Sequence, residues 1–399
     1  MHHETALLAT IAVGLAFALV GGYLAVRVHL PPVVGYLLAG VAVGPFTPGF
    51  VADARLAPQL AEIGVILLMF GVGMHFSLRD LLAVRSVALP GAIVQIAVAT
   101  VLGAGLARWW GWTLESGIVF GLALSVASTV VLLRTLEAHG RLHSEDGRIA
   151  IGWLIVEDLV MVLALVLLPA LAGPRESASG DVWTALGVTL GKVAAFAALM
   201  LVVGTRVFPW LLARVERTGS RELFTLAVIT LALGVAFGSA KGFGVSFALG
   251  AFFAGAVIHE SDLSHRAADG LQPLQDAFSV LFFVAVGMLF DPRILVEEPG
   301  RVAAAVAIIV AGKSLAALGI VLALRRPLRT ALTVSAALAQ IGEFSFILGA
   351  LGVALGVLPA EGESLIVAGA LLSISLNSLV FAGAARSGGR SQAASLSPR

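Results

Sequence analysis

The chain has 399 residues, of which 59% are hydrophobic and 12% charged, about half the charged share of an ordinary soluble domain. Its net charge of +1 gives nucleic acid no electrostatic hold, and the absence of cysteine excludes disulfides and thiolate metal sites. An all-α, polytopic membrane protein is expected, with no enzymatic activity, no cofactor and no resident metal.

The first apolar run begins at Ala6 without a basic segment ahead of it and continues to about Val26. That is too long for a signal-peptide core, so it reads as an uncleaved helix. Taken in chain order, stretches able to cross a bilayer core number thirteen: 5–26, 31–45, 58–75, 87–107, 116–136, 148–171, 183–207, 222–239, 243–259, 273–290, 302–324, 330–357 and 364–385. With the N-terminus outside, 17 Lys and Arg residues fall on the inner side, among them Arg79, Arg141, Arg326, Arg386 and Arg399. Only 6, including Arg55, Arg175 and Arg301, fall outside. Basic residues concentrate on the cytoplasmic side, so the expected orientation is N-out, C-in.

A repeat is visible at a constant offset of 214 residues: the segment from Glu62 to Arg79 aligns with that from Asp276 to Arg293, pairing Gly73-Met74 with Gly287-Met288 and Phe76 with Phe290. Partner spans are seven apart and therefore cross in opposite directions. Spans 1–6 and 8–13 thus read as an inverted-topology repeat, the architecture in which transporters place their sites near the midplane.

Depth separates the charges. Glu62 and Asp276 lie near span ends, where water solvates them, and Lys192 can snorkel. Glu157, Asp158, Lys313 and Glu343 lie at span centres, where an ionised group costs about 3 kcal/mol and must face the bundle interior. Glu157 and Asp158 point about 100° apart on a helix and should have different tasks, which the sequence alone does not assign. Ser125, Ser128 and Thr129 stand at i, i+3 and i+4 in span 5, a hydroxyl stripe whose oxygens suit an alkali cation or serve as interhelical glue. In span 12, Gly342 weakens the helix between Gln340 and Glu343. Span 5 has no such residue at its centre.

The segments GYLLAGVAVGPFTPGF, GVILLMFGVGMHFSLRDL, GWLIVEDLVMVL, RELFTLAV, VSFALGAFFAGAVI, FFVAVGMLFDP and AQIGEFSFILGALG occur in this order. In them the chain resembles the monovalent cation:proton antiporter-2 family, closest to its Kef-type potassium/proton branch, over about residues 7 to 385. The resemblance implies thirteen helices, with spans 5 and 12 discontinuous and crossing at the midplane. It implies a homodimer through a scaffold of residues 1–76 and 220–291, a mobile core of residues 86–172 and 300–386, and a linker helix at 183–213. Asp158 takes the place of the family's essential carboxylate, Ser125, Ser128 and Thr129 that of its unwound ligands, and Lys313 that of a basic partner to the acidic site. Glu157 stands where many relatives have a neutral residue, which leaves the stoichiometry open. The chain ends in a polar tail, 387–399, where relatives usually continue into a regulatory domain; a separate cytosolic regulatory subunit is a conceivable partner.

The expected function is exchange of a monovalent cation, K+ or else Na+, for protons in a bacterial inner membrane. Asp158 would carry either ion in turn, with Lys313, Gln340 and Glu343 completing the crossing. A passive cation channel and a sodium-coupled organic-anion symporter are the rival readings.

Overall fold

The computed structural model describes residues 6–48, 56–75, 78–142, 144–172 and 182–395. Arg55, Phe76, Arg175 and Arg399, all used in the sequence reading, lie outside the described residues, as do the ends of the chain at 1–5 and 396–399.

Among the described residues every regular element is a helix. They run α1 (Ala6–Arg27), α2 (Pro32–Val43), α3 (Ala57–His75), α4 (Leu78–Trp109), α5 (Leu114–Ser125), α6 (Thr129–Ala138), α7 (Glu145–Leu171), α8 (Val182–Leu199) and α9 (Thr205–Glu216). There follow α10 (Arg221–Phe243), α11 (Phe247–His259), α12 (Ser264–Leu289), α13 (Ile294–Glu297), α14 (Pro299–Ala307), α15 (Lys313–Ala323), α16 (Leu328–Ala337), α17 (Glu343–Ala354) and α18 (Ala360–Ser395). Nine helical stretches among the described residues are long and apolar enough to cross a membrane, the α5–α6 pair counting as one, and four shorter apolar helices accompany them. Two π-helical turns interrupt longer rods: Met200–Gly204 joins α8 to α9, and Ile308–Gly312 joins α14 to α15 immediately before Lys313.

The helices gather into two compact units. One is built from residues up to Ala18, Ala42–Ser77 and Val162–Met288. Its tightest internal contact is between α3 and α11, where bare glycine faces meet: a Cβ on Gly73 would lie 2.1 Å from the Phe252 carbonyl oxygen, and one on Gly255 2.1 Å from that of Phe70. Small residues that let backbones approach are the usual means of helix association where lipid removes the hydrophobic drive. Glu62 and Asp276, on this unit, are exposed. Glu62 lies in the first turns of α3, but α12 begins at Ser264, ahead of the span read from the sequence, so Asp276 stands near the middle of its helix and not near its end.

The second unit comprises Leu19–Val41, Leu78–Met161 and Leu289–Arg399. Its core is apolar, with Leu132, Leu136, Trp153, Leu154, Val321 and Val334 at its centre. Polar ties fasten its two halves to each other at both ends. At one end the Ser116 hydroxyl donates to the Val357 carbonyl at 2.6 Å, beside an Arg301–Glu361 pair internal to the second half. At the other, Asp146 accepts from Arg141 at 3.3 Å and from Thr330 at 2.7 Å, while Arg326 reaches Glu145 at 2.9 Å.

Both interrupted spans lie in this unit. Span 5 divides into α5 and α6, with Val126 (φ −100°, ψ 129°) and Ser128 (φ −76°, ψ 124°) extended. Span 12 divides into α16 and α17, with Gly342 extended at φ −139°, ψ −159°. The proposed hydroxyl stripe is therefore corrected. Ser125 ends one half-helix and Thr129 begins the next, so the i, i+3, i+4 spacing does not put the three hydroxyls on one helical face. The two breaks meet, since a Cβ on Gly342 would stand 2.4 Å from the Ser128 Cα. The 214-residue offset carries Ser128 onto Gly342, so the residues that touch are the ones the repeat makes equivalent.

Candidate functional site

A helix broken inside a membrane leaves backbone donors and acceptors that no lipid can satisfy. Here side chains from four neighbouring helices satisfy them. The Ser125 carbonyl, last in α5, accepts from Gln95 Nε2 on α4 at 2.7 Å. The Ala127 N–H donates to Glu157 Oε2 on α7 at 2.9 Å. Gln340 pairs with Ser128 in both directions, its Oε1 accepting from Ser128 N at 2.9 Å and its Nε2 donating to Ser128 O at 3.2 Å. In the other break, the Gln340 carbonyl accepts from Lys313 Nζ at 2.8 Å and the Ala336 carbonyl from Asn377 Nδ2 at 2.9 Å. Acids thus serve the N–H side of a break and the lysine serves a carbonyl, the polarity that helix-end dipoles favour.

Every candidate site residue named from the sequence lies in this region, but their surroundings divide. Ser125 is fully buried and spent: its hydroxyl donates to the Leu122 carbonyl at 2.7 Å and its own carbonyl is taken by Gln95. Ser128 belongs to the crossing, since its Oγ donates to Glu343 Oε2 at 3.1 Å and caps α6 by accepting from Val131 N at 3.4 Å. Thr129 Oγ1 donates to Asp158 Oδ2 at 3.3 Å.

The adjacent acids are told apart by their surroundings. Glu157 is held by a backbone N–H and has the buried Lys313 as its opposite charge. Asp158 holds only the Thr129 hydroxyl, and the charged neighbours it feels are two acids, Glu343 and Glu157. Among the described residues, each acid keeps one buried oxygen, Glu157 Oε1 and Asp158 Oδ1, without a hydrogen-bond partner. A buried carboxylate surrounded by acids requires a cation or a proton from elsewhere. Asp158 is in that position; Glu157, which feels the charge of Lys313, is less so. Lys313, expected to partner the acidic site at large, is electrostatically the partner of Glu157.

Three of the residues that hold the breaks escaped the sequence reading: Gln95, Trp153 and Asn377, whose amide serves the Ala336 carbonyl. Gln95 and Trp153 are both completely buried, and the indole N–H donates to Gln95 Oε1 at 2.9 Å. A lone glutamine at the centre of an apolar span carried a signal of the same kind as Lys313, the cost of a polar group at that depth.

Residues 15–385 match the family described as sodium/hydrogen exchanger, transmembrane. YbaL of Escherichia coli (strain K12), designated a candidate cation/proton antiporter, is 62% identical over 387 residues, which are 96% of this chain and 69% of YbaL. K(+) efflux antiporter 4 of Arabidopsis thaliana is 34% identical over 84% of this chain and 55% of its own length. Among solved structures, the sodium proton antiporter MjNhaP1 of Methanocaldococcus jannaschii superposes with a TM-score of 0.74, covering 98% of this chain and all of that one at 16% identity, a likeness of fold.

Proposed function

The chain belongs to the sodium/hydrogen exchanger family, a family of transporters and not of enzymes, and from that premise we propose that it exchanges a monovalent cation for protons across a membrane. Asp158 is the carrier. One carboxylate cannot hold a cation and a proton together, so the two compete for it, and their competition couples the fluxes. The observation that carries this reading is the buried Asp158 Oδ1 without a partner, on an acid whose charged neighbours are acids. Thr129 supplies a hydroxyl ligand; Lys313, Gln340 and Glu343 hold the crossing and balance its charge. K+ is the preferred cation, a choice supported by the relatives named as K(+) efflux antiporters.

The remaining elements of the proposal are an N-out, C-in orientation in a bacterial inner membrane, a homodimer formed through the scaffold, and alternating access by movement of the core. The core's ties at both ends suit a body that moves as one piece. The test is dye-reported proton flux in proteoliposomes given K+, Na+, Li+ and Rb+ in turn. Wild type is expected to exchange, and Asp158→Asn, nearly isosteric but unable to bind a proton reversibly, to lose exchange while remaining folded. Wild-type rates in Asp158→Asn would end the carrier assignment; cation flux uncoupled from protons would favour a channel.

A further inference from the structure

We propose that Gln95 and Trp153 form a positioning clamp that sets which monovalent cation the Asp158 site prefers, an inference that rests on the carrier reading above. Gln95 stands in the middle of α4, completely buried, and both ends of its amide are committed, Oε1 to the Trp153 indole N–H at 2.9 Å and Nε2 to the Ser125 carbonyl at 2.7 Å. Trp153 lies one turn before Glu157 on the same face of α7. Its ring seats on Gly91, one turn before Gln95 on α4, where a Cβ would come within 2.1 Å of the indole. Glu157 in turn takes the Ala127 N–H at 2.9 Å. The path from Gln95 to Ser125, along the extended chain to Ala127, across to Glu157, back one turn to Trp153 and home to Gln95 is closed.

This circuit grips the α5–α6 break at Ser125 and Ala127 through groups other than the carrier. Asp158 points away from Glu157 on α7 and meets the break at Thr129, two residues past Ala127. Choosing between cations of equal charge and slightly different radius requires ligands that do not relax around the wrong ion, held to about 0.5 Å by a supporting layer of hydrogen bonds. An extended segment in a membrane has no helical ladder to hold it, and the clamp supplies that restraint on the Ser125 side, as Gln340 does at Ser128. Gln95 also keeps the Ser125 carbonyl occupied, which withholds a hard oxygen from any ion nearby.

The experiment measures the apparent KM for K+, Na+, Li+ and Rb+, together with the maximal rate, in proteoliposomes of wild type, Gln95→Leu, Trp153→Phe and the double variant. Gln95→Leu is expected to move the KM ratio between the preferred cation and its competitors toward one by about tenfold, the equivalent of one strong contact. Trp153→Phe keeps a ring on Gly91 but frees Gln95 Oε1, and should shift the ratio in the same direction by less. The double variant should be no worse than Gln95→Leu, because residues of one network do not add. A merely structural glutamine would lower thermal stability and leave the ratios alone. Wild-type ratios in folded Gln95→Leu, or in Trp153→Phe should the first not assemble, overturn the inference, as does a wild type that exchanges all four cations equally. A wild type that exchanges none overturns instead the carrier reading beneath it.

Discussion

The four ionisable side chains buried around the breaks are three acids and one base. Lys313 is the one base among them and acts electrostatically on Glu157, so removing either one alone should leave a buried charge less compensated, at a cost of up to about 3–5 kcal/mol. Lys313→Met should accordingly lower stability in detergent by about 3 kcal/mol, and adding Glu157→Gln should restore much of the loss, a recovery that a double-mutant thermal-denaturation cycle measures. Single and double variants of equal stability would mean that the two charges do not act on each other. Glu157→Gln alone keeps a carbonyl to accept the Ala127 N–H, so exchange should persist at a reduced rate; complete loss in liposomes would make Glu157 a second carrier. That Glu157 and Asp158 would meet different surroundings was legible in the sequence, because neighbours on a helix diverge by about 100°. Which surroundings fell to which acid was not, because they depend on Ala127 and Thr129, 30 residues before Glu157 and 29 before Asp158.

At the scale of elements, the break in span 12 announced itself through Gly342, and the break in span 5 did not. Val126 and Ala127 are ordinary helix or strand residues, and what opens the chain there is the set of partners waiting outside it: Gln95, Glu157 and Gln340. Tertiary hydrogen bonds override local propensity, and no local pattern records them. The contact of Gly342 with Ser128 leaves no space for a methyl group, since the atom met at 2.4 Å is backbone. Gly342→Ala should therefore force the two breaks apart, costing about 1–3 kcal/mol and, more sharply, the exchange rate. Near-wild-type flux and melting temperature in that variant would show that the crossing tolerates separation. The apolar spans themselves were read with displaced ends, α4 running to Leu78 and α10 to Phe243, because hydropathy marks where a helix may sit in lipid and caps mark where it stops.

For the molecule as a whole, a shared site fixes how proton and cation affinities depend on each other. Where the proton dominates occupancy, each unit fall in pH should raise the apparent KM for the cation about tenfold. Stopped-flow exchange between pH 5 and 9 checks this, and a KM that stays flat would call for separate sites. The commitment of Glu157 to the Ala127 N–H and to Lys313 has a further consequence at this scale. On the proposed reading, in which Asp158 alone carries, one cation moves one way and one proton the other, so a full cycle is expected to carry no net charge. Membrane voltage then does no work on it, and the exchanger comes to rest when the cation ratio across the membrane equals the proton ratio. A pH difference of one unit sustains about a tenfold cation difference and no more, a ceiling of about 1.4 kcal/mol per ion. Under that stoichiometry a cell would trade acidity for cations without drawing on its electrical potential.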